Sequence, residues 1–534
     1  MKNTINEPLS IEQLQNEKAA LQEKIASLES KVTELTSRLY WFEEHFRLNQ
    51  HKLYGRSSEQ TVGAEQISLF NEAEALDAVK PKVPEPTIEE VTYSRKKKQK
   101  GHRDEMLKDL PVETIEYRLA EDEQVCDVCG GSLHEMSKEI TKEIKIIPPQ
   151  VSVVEHVRYI YSCRDCEKNE ITTPIVTASM PKRALPGSIA SAAAIAYIMT
   201  QKFMYGVPLY RQEQNWKQLD IEISRQTMAN WLISASSRWL SVIFERMHGL
   251  LLQRDIICAD ETTLQVLHEP GRAANTKSYM WLYRTGRDSP PIVLYEYQMT
   301  RARKHPEKFL SGFKGYLCTD AYQAYDSLSG VIGVACFMHA RRKFDEALKA
   351  LPKEAAEKAC AAKEGLKFCN RLFMIESELQ DMSSEKRYEA RLEKSKPVMD
   401  AFHDWLKYQR RILTPKCITG QAVNYCLNLW DKLTGFLLDG RLYIDNGISE
   451  RSIKPFVISR KNFLFCNTPN GATASAMIFS IIETAKENRL KPFEYLTYLL
   501  EALPNADIDN QEVIDSLLPW SETLPESCRL KVSH

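Results

Sequence analysis

Hydrophobic residues recur at seven-residue intervals in the first part of the chain. One series comprises Leu14, Leu21, Leu28, Leu35 and Phe42, and the other comprises Ile11, Lys18, Ile25, Val32 and Leu39. Branched residues in one series and leucine in the other favour a parallel two-stranded coiled coil, and a single lysine restricts its register. We therefore predict a coiled coil over residues 1–55, ending at Gly55, that joins chains into a homodimer or higher oligomer. The alternative is an amphipathic helix packed on its own protein.

A second pattern consists of short apolar runs separated by polar segments, between residues 253 and 338. Such runs are typical of buried strands. The predicted strands are 254–268, 277–287, 291–299, 315–319 and 331–337, and the predicted helices between them are 303–311 and 321–328. This order, three strands followed by a helix, a strand, a helix and a strand, is the order of elements in an RNase H-like domain. We therefore predict a multidomain α/β protein that contains an RNase H-like mixed sheet.

The chain after this pattern is charged and has helical periodicity, first from Lys349 to Arg411 and again from Gly420 to Leu438. This pattern predicts a helical insertion over residues 339–440 within the sheet domain. The first part of the core is then 253–338 and the second part is 441–475. A C-terminal helical region, 476–534, follows.

Acidic residues end two of the predicted strands. Asp260 follows the apolar run 256–259, Asp320 follows the run 315–319, and Glu450 lies in the later segment DNGISERSIKP. A carboxylate at the end of a buried strand is costly unless it is paired or binds a cation. Three such acids, brought together by the insertion folding away, are what a two-metal phosphoryl-transfer site requires, because Mg²⁺ prefers oxygen ligands.

Other charged residues lie near these acids. Glu261 adjoins Asp260 but should point to the opposite face of the strand and be structural, and Asp445 is the alternative third acid. His339 follows the fifth predicted strand and is either a residue of the site's rim or a surface histidine. The basic residues predicted to contact phosphates are Arg341, Arg342 and Lys343.

Residues 181–252 have the pattern of several short helices. Ser188 is a predicted N-cap for the helix IASAAAIAYIMTQKF, and Ser224 is one for RQTMANWLISASSRWL. Two short helices joined by a turn, with polar residues opening the second, resemble a helix-turn-helix. The residues expected to face a DNA groove are Arg225, Gln226, Thr227 and Asn230. The alternative is a helical bundle that braces the next domain.

Four of the thirteen cysteines form two CxxC pairs, Cys126 with Cys129 and Cys163 with Cys166. Two such pairs separated by a strand-rich stretch predict a tetrahedral Cys₄ site for structural zinc, in a ribbon domain over residues 111–180. An odd number of cysteines in a long chain fits metal binding in a reducing cytosol better than disulfides. His134 and His156 are interpreted as surface or packing residues.

The net charge of −1 gives no global basic field, so contact with nucleic acid must come from local patches. Residues 56–110 contain an acidic, proline-containing linker and the basic segment SRKKKQKGHR, Ser94 to Arg103. That segment is either a solvated tail or a phosphate-neutralising patch. No apolar run approaches a membrane span and no apolar signal segment opens the sequence, so we expect a cytoplasmic protein without a membrane partner.

The sequence resembles bacterial insertion-sequence transposases of the DDE class, in the family named for insertion sequence sixty-six. The resemblance covers nearly the whole chain and rests on many motifs in the same order. They are LYGRSSE after the heptads, CDVCGGSL and CRDC, GVPLYRQEQ and SRQTMANW, ADET, TDAYQAY, HARRKF, DNGISERSIKPFVISRKNFLF and IETAKENRLKPFEYL.

The resemblance implies that Asp260, Asp320 and Glu450 are catalytic acids that bind two Mg²⁺ or Mn²⁺ ions per active site. It implies metal-dependent strand cleavage at transposon ends, followed by transfer of the freed 3′-OH into target DNA, without a covalent protein–DNA intermediate. The four cysteines are implied as its zinc module. DNA, and accessory transposition proteins, are implied as partners in the nucleoid.

In one respect the sequence departs from related enzymes, because the arginine and lysine that flank the glutamate in some integrase-like proteins are not at their usual spacing. Arg451, Lys454 and Lys461 are the candidates for that DNA-positioning role. An ion pair on the helix face is the alternative for Arg451 and Lys454. Two other functions fit the modules: a non-catalytic zinc-containing DNA-binding regulator, and an RNase H-like nuclease without strand transfer.

Overall fold

The computed structural model describes residues 11–54, 151–162 and 175–531, except 288, 327, 353–354 and 356–357. The predicted linker, 56–110, lies outside these ranges, as does most of the predicted zinc domain. Within the described ranges no helix is both long and apolar enough to cross a membrane.

The described strands form two sheets. A small antiparallel pair consists of β1 (Ile160–Ser162) and β2 (Ile175–Thr177). The larger sheet comprises β3 (Ile256–Gln265), β4 (Lys277–Thr285), β5 (Val293–Gln298), β6 (Gly315–Thr319) and β7 (Val331–Ala335). Its order is β5-β4-β3-β6-β7, with β3 antiparallel to β4 and parallel to β6, β4 antiparallel to β5, and β6 parallel to β7. The sheet is therefore mixed.

The five predicted strands are confirmed, because each apolar run is a strand with buried side chains. Trp281, Tyr283 and Tyr295 are fully buried in the main core. One boundary is wrong: β7 ends at Ala335, and a helix begins at Phe337 where the sequence predicts continued strand. The residues after Ala335 are apolar because the first turn of this helix is buried, and a short apolar run does not distinguish the two structures.

Helices precede the larger sheet. They are α1 (Ile11–Tyr54), α2 (Ala192–Phe203), α3 (Leu209–Lys217), α4 (Arg225–Ala235) and α5 (Ser241–Leu252), with a π-helical segment at Ser236–Leu240. The predicted cap of α4 is confirmed, since the Ser224 hydroxyl accepts a hydrogen bond from the Thr227 amide at 3.1 Å. The predicted cap of α2 is wrong. Ser191 accepts from the Ala194 amide at 3.1 Å, whereas Ser188 accepts from an amide two residues on, before the helix begins.

Helices also separate the last strands and form most of the described part of the predicted insertion. They are α6 (Lys304–Phe309), α7 (Phe337–Ala350), α8 (Ala361–Glu378), α9 (Ser384–Ala390), α10 (Lys396–Ile412), α11 (Ile418–Asn428) and α12 (Trp430–Leu433), with a π-helical segment at Arg391–Ser395 and 3₁₀ turns at Gln323–Tyr325 and Thr434–Leu437. The helix predicted over 321–328 is only the first of those turns. A second core, which includes Phe344, Phe402 and Phe436, fills this helical region.

The C-terminal part of the described chain is helical and packs on the edge of the sheet. It contains α13 (Gly447–Phe463), α14 (Pro469–Glu487), α15 (Pro492–Ala502) and α16 (Gln511–Ser516), with 3₁₀ turns at Leu503–Asn505 and Glu526–Cys528. The Thr484 hydroxyl of α14 bonds both the amide and the carbonyl of Val293 in β5, at 3.0 and 2.9 Å. The Ser480 hydroxyl accepts from the Tyr295 amide at 2.8 Å. These hydroxyls satisfy the backbone of the edge strand and keep it from pairing with another chain.

The C-terminal end of α1 packs on the helical insertion. Leu48 is buried in a small cluster with residues of α7 and α11. Arg47 donates a 2.8 Å hydrogen bond to the Ala350 carbonyl, and the Glu44 carboxylate accepts one of 3.1 Å from the Ile418 amide in the first turn of α11. An acid at this position also faces the positive end of the helix dipole.

The heptad positions nearer the start of α1 are exposed. Leu21, Ile25, Leu28, Val32, Leu35 and Leu39 are each more than half accessible to solvent. Leucine, isoleucine and valine exposed at successive heptad positions form an apolar seam along one face of the helix.

Candidate active site

Two of the predicted catalytic acids lie where the parallel strands of the larger sheet end. β3 and β6 pair over residues 256–258 and 316–318. Asp260 lies two residues beyond this pairing in β3, and Asp320 directly follows β6. Because the carboxyl ends of parallel strands meet at one edge, both side chains reach the same region.

A tight turn holds Asp320. Its Oδ1 accepts a hydrogen bond of 3.0 Å from the Tyr322 amide, and the Thr319 hydroxyl accepts one of 3.1 Å from the Ala321 amide. Ala321 has a φ of 65°, in the left-handed region that non-glycine residues rarely adopt. The turn directs the chain away from the sheet immediately after the carboxylate.

Contacts beside β7 bring Glu450 to the same edge. The Phe337 amide donates to the Ile444 carbonyl at 2.9 Å, which aligns the segment before α13 with the end of β7. Asn446, the N-cap residue of α13, is buried, and its side-chain amide donates to the Ala259 carbonyl at 2.8 Å. The fourth residue of α13 is Glu450, so its carboxylate stands one helical turn from this anchor.

Two buried arginines bind the segment that leads from the insertion back to the sheet. Arg391 donates to the carbonyls of Phe436 and Leu442, at 2.7 and 2.9 Å, and forms a bidentate pair with Glu376. Arg387 donates to the Gly440 carbonyl at 2.9 Å. Arginine suits this task, since its planar fork satisfies several acceptors at once. The residues that place Glu450 therefore include side chains of the insertion.

The charges of the other acids act on the carboxyl group of Asp260. Burial is the main cause that raises the pKa of Asp260 to about 8, and the neighbouring charges of Glu261, Asp320 and Glu450 raise it further. A hydrogen bond of 2.8 Å from the Glu261 amide opposes this rise. Carboxylate oxygens are the type of ligand that a hard divalent cation prefers.

Glu261 has a different environment from Asp260, as the alternation of a strand requires. Arg301 donates to its Oε1 at 2.8 Å, and the Tyr325 hydroxyl donates to Oε2 at 2.7 Å. Burial is the main cause that raises the pKa of Glu261. The Arg301 guanidinium also lies 3.9 Å from Asp320 and stacks on the Tyr322 ring. Sequence reasoning missed Arg301, which lies in a loop with no distinguishing motif.

Asp445, the alternative third acid, forms a hydrogen bond within its own segment of the chain. Its Oδ1 accepts a 2.9 Å hydrogen bond from the Gly447 amide at the start of α13. It also raises the pKa of the nearby Cys336 thiol, which is about 12 chiefly because that thiol is buried.

His339 lies in the first turn of α7, beside the acids. The pKa of His339 is lowered, mainly by burial and also by the charge of Arg342. The charges of Asp320 and Glu450 oppose this lowering. The ligand atoms of Cys336, His339 and Glu450 all lie within 4.8 Å of one another. Sequence reasoning missed Cys336, although the spacing Cys-x-x-His at the start of a helix is a signal for a shared metal or proton site.

The residues predicted to read DNA lie exposed on α4. Arg225, Gln226, Thr227 and Asn230 are all solvent-accessible. The Arg225 guanidinium lies 5.7 Å from the centre of the Tyr210 ring of α3, and Gln226 donates to Asn230 at 3.2 Å. Two packed short helices with this exposed polar face fit the predicted helix-turn-helix.

The predicted phosphate-contacting residues divide into two groups. Arg341 donates a 2.8 Å hydrogen bond to Asn370 of α8, and Lys343 lies over the Tyr425 ring, so both contact the helical insertion. On α13, by contrast, Arg451, Lys454 and Lys461 are exposed. Cys126, Cys129, Cys163 and Cys166 lie outside the described residues.

Comparison with known families gives four matches along the chain. The family model described as "Transposase IS66 family" matches residues 187–474, more than half of the chain. The model of the "zinc-finger binding domain of transposase IS66" matches 123–167, and the "IS66 C-terminal element" matches 480–520. A model described as "Transposase C of IS166 homeodomain" matches 41–115.

The chain is also similar to proteins of Sinorhizobium fredii. It is 29% identical over 413 residues to the uncharacterized protein y4jD, covering 74% of this chain and 78% of that protein. It is 26% identical over 524 residues to the uncharacterized protein y4qI, covering 94% of this chain and 93% of that protein.

Proposed function

This chain belongs to the transposase IS66 family, and from that membership we propose that it cuts DNA at transposon ends and joins them to target DNA. The observation that carries the chemistry is that the charges of Asp320 and Glu450 both act on the buried carboxyl group of Asp260, at one edge of the sheet. We further propose that the sheet domain is RNase H-like. The strand order and directions support this, with three antiparallel strands followed by two parallel ones on the other side of the first.

The donor set at this edge fits magnesium. All three acids offer carboxylate oxygens, the ligands that Mg²⁺ prefers, and a hard ion that keeps several waters needs only one or two carboxylates. The raised pKa of Asp260 fits as well, because the charge of a bound cation offsets both the burial and the repulsion that raise it. A pair of divalent ions, when bound, supplies Lewis acidity toward the attacking water and toward the departing 3′ oxygen.

The protein's own part in this chemistry is placement. Asn446 fixes the start of α13 to the carbonyl of Ala259, so the acid on the helix and the acid on β3 keep a set distance. Arg301 restrains Asp320 and keeps Glu261 paired. His339, on whose pKa the charges of both Asp320 and Glu450 act, is the proposed contact to the scissile phosphate.

Other parts of the chain supply DNA binding and assembly in this proposal. Arg225, Gln226, Thr227 and Asn230 contact the terminal sequence, and the cysteine module, with structural zinc, contributes a second DNA-binding surface. The exposed seam of α1 pairs with that of a second copy to form a dimer or larger assembly. Since the substrate is chromosomal DNA, the proposed place of action is the nucleoid, alongside accessory transposition proteins.

The direct test is cleavage of a DNA fragment that carries the element's own ends, with Mg²⁺ or Mn²⁺. Asp260→Asn, Asp320→Asn and Glu450→Gln should each abolish cutting while end binding persists, whereas Asp507→Asn, an exposed acid outside the site, should cut normally. Cutting by all three site variants would refute the proposal.

A second assay separates the alternatives. Pre-cut ends with a free 3′-OH should join a target plasmid only with intact acids. Cutting without joining would indicate a nuclease, and binding with neither activity would indicate a regulator.

A further inference from the structure

Three chemically different ligands meet beside the carboxylate cluster. Cys336 is the N-cap residue of α7, His339 is the third residue of that helix, and Glu450 is the fourth residue of α13. Their sulfur, nitrogen and oxygen ligand atoms lie within 4.8 Å of one another. A thiolate, an imidazole and a carboxylate form a ligand set typical of zinc and poorly suited to magnesium.

We propose that Cys336, His339 and Glu450 form a binding site for a zinc-class divalent ion that overlaps the magnesium site through Glu450. The proposal rests on the function proposed above for that glutamate. When the ion binds, the proton of the Cys336 thiol leaves to solvent and the sulfur becomes a ligand. Because one carboxylate serves both sites, zinc at this set and magnesium at the acids compete.

The surroundings of the three side chains are those of a formed site. Nδ1 of His339 is buried and has no hydrogen-bond partner among the described residues, so a ring nitrogen remains available. Cys336 is 2% exposed, and its sulfur accepts a 3.2 Å hydrogen bond from the Asn446 amide. Two helices, α7 and α13, begin here, and the backbone amides of His339 and Asn446 at their starts oppose the burial that raises the pKa of Cys336.

The distances require only a small adjustment. Bonds of about 2.3 Å to sulfur and about 2.1 Å to nitrogen keep those two atoms at most about 4.4 Å apart in any zinc site. The ligand atoms, which all lie within 4.8 Å of one another, are near this range. His339 and Cys336 share one helical turn, so any remaining closure needs mainly a change of side-chain rotamer.

The first test measures bound zinc in full-length protein by elemental analysis, after equilibration with buffered zinc. Wild-type protein should hold one equivalent per chain more than Cys336→Ser. The matched control is Cys426→Ser, a fully buried cysteine in the insertion, which should hold as much as wild type. Measuring a difference removes the contribution of the CxxC module. Equal zinc in wild type and Cys336→Ser would overturn the proposal.

A second variant guards against a folding defect in Cys336→Ser. His339→Gln should weaken binding of this one zinc at least tenfold, measured by competition with a chromophoric chelator, while circular dichroism stays unchanged. With cobalt as the probe, the thiolate-to-metal absorption should fall in Cys336→Ser relative to both wild type and Cys426→Ser. Unchanged affinity in His339→Gln together with unchanged cobalt absorption would contradict the assignment.

The competition has its own readout. Zinc should inhibit magnesium-dependent cleavage, and the half-inhibitory zinc concentration should rise at least tenfold in Cys336→Ser, each protein being compared with its own zinc-free activity. Failure of the two proposals is distinguishable. If the Asp260→Asn, Asp320→Asn and Glu450→Gln proteins all still cut, the proposed function fails. If Asp260→Asn is inactive but Cys336→Ser binds zinc as wild type does, only the zinc site fails.

Discussion

The side-chain amide of Asn446 donates a 2.8 Å hydrogen bond to the carbonyl of Ala259, the residue before Asp260. This bond joins the first strand of the sheet to the helix that carries Glu450, across an interval of almost two hundred residues. It fixes two catalytic candidates relative to each other without contacting either carboxylate.

Asn446→Ala should lower cleavage about tenfold to a hundredfold, because a shift of roughly 1 Å in a reacting group has this effect. The loss of one buried hydrogen bond should destabilise the fold by only about 1–2 kcal/mol. Asn488→Ala is the control, since that amide bonds backbone carbonyls away from the site at 2.8 Å. Stability is measured by denaturation and activity by strand cutting. If Asn488→Ala loses as much stability as Asn446→Ala but cuts normally, the effect of Asn446 on cleavage is one of positioning and not of folding.

Arg301→Ala should destabilise the protein by about 1–3 kcal/mol, because Glu261 is left buried with only the Tyr325 hydroxyl as a side-chain partner. The figure is moderate because Arg301 is 36% exposed. Glu261→Gln in the Arg301→Ala background should restore part of the loss. If denaturant melts show the two single variants and the double variant to be additive, Arg301 and Glu261 are not coupled.

The same variant should also show a pH dependence. Burial raises the pKa of Glu261 in the folded state, and removing Arg301 should raise it further. Between the unfolded and folded pKa values the folded protein then holds more protons, so the free energy of unfolding falls as pH rises. The deficit relative to wild type should therefore be larger at pH 8 than at pH 5, and a deficit that shrinks with pH would contradict this account.

Magnesium binding should release a proton. In the metal-free protein the pKa of Asp260 is about 8, so at neutral pH its carboxyl is largely protonated and must ionise to become a ligand. Affinity should therefore rise with pH up to about 8, by at most tenfold per unit. Calorimetry in buffers of different ionisation enthalpy would measure the released proton. Asp260→Asn should bind with no such release, and an equal release by that variant would assign the proton elsewhere.

Arg225→Ala should weaken binding to the element's ends and reduce the slope of log affinity against log salt by about one, as expected for one lost phosphate or base contact. Arg371→Ala, an exposed arginine of α8, is the matched control and should leave both quantities unchanged. Fluorescence anisotropy across a salt series measures both. If Arg225→Ala and Arg371→Ala change the affinity and the salt slope equally, the DNA-contacting surface does not lie at Arg225.

Leu28→Glu should convert the assembled protein to a smaller species in light-scattering measurements, because it places a charge in the middle of the apolar seam. Tyr40→Ala, which removes an exposed apolar side chain outside the heptad series, should leave the mass unchanged. A wild-type protein that is already monomeric would count against the seam as an interface.

The strands could be predicted from the sequence because each is one short apolar run whose pattern is local. Glu450 was named from its motif, but the path that returns it to the sheet could not be predicted, since it depends on contacts such as those of Arg391 with Phe436 and Leu442, far apart in the sequence. Arg301 was missed for the same reason. Ser191 rather than Ser188 caps α2 because both serines have the right chemistry, and only the backbone path distinguishes them.

The contacts of Glu44, Arg47 and Leu48 with the insertion fix one end of the long helix α1. A helix of 44 residues is about 66 Å long, and a rod anchored at one end transmits orientation as well as proximity. In a paired assembly, α1 would set the distance and the angle between the two active sites. Removing one heptad before Glu44 would shorten the helix by about 10 Å and keep the apolar seam on the same face.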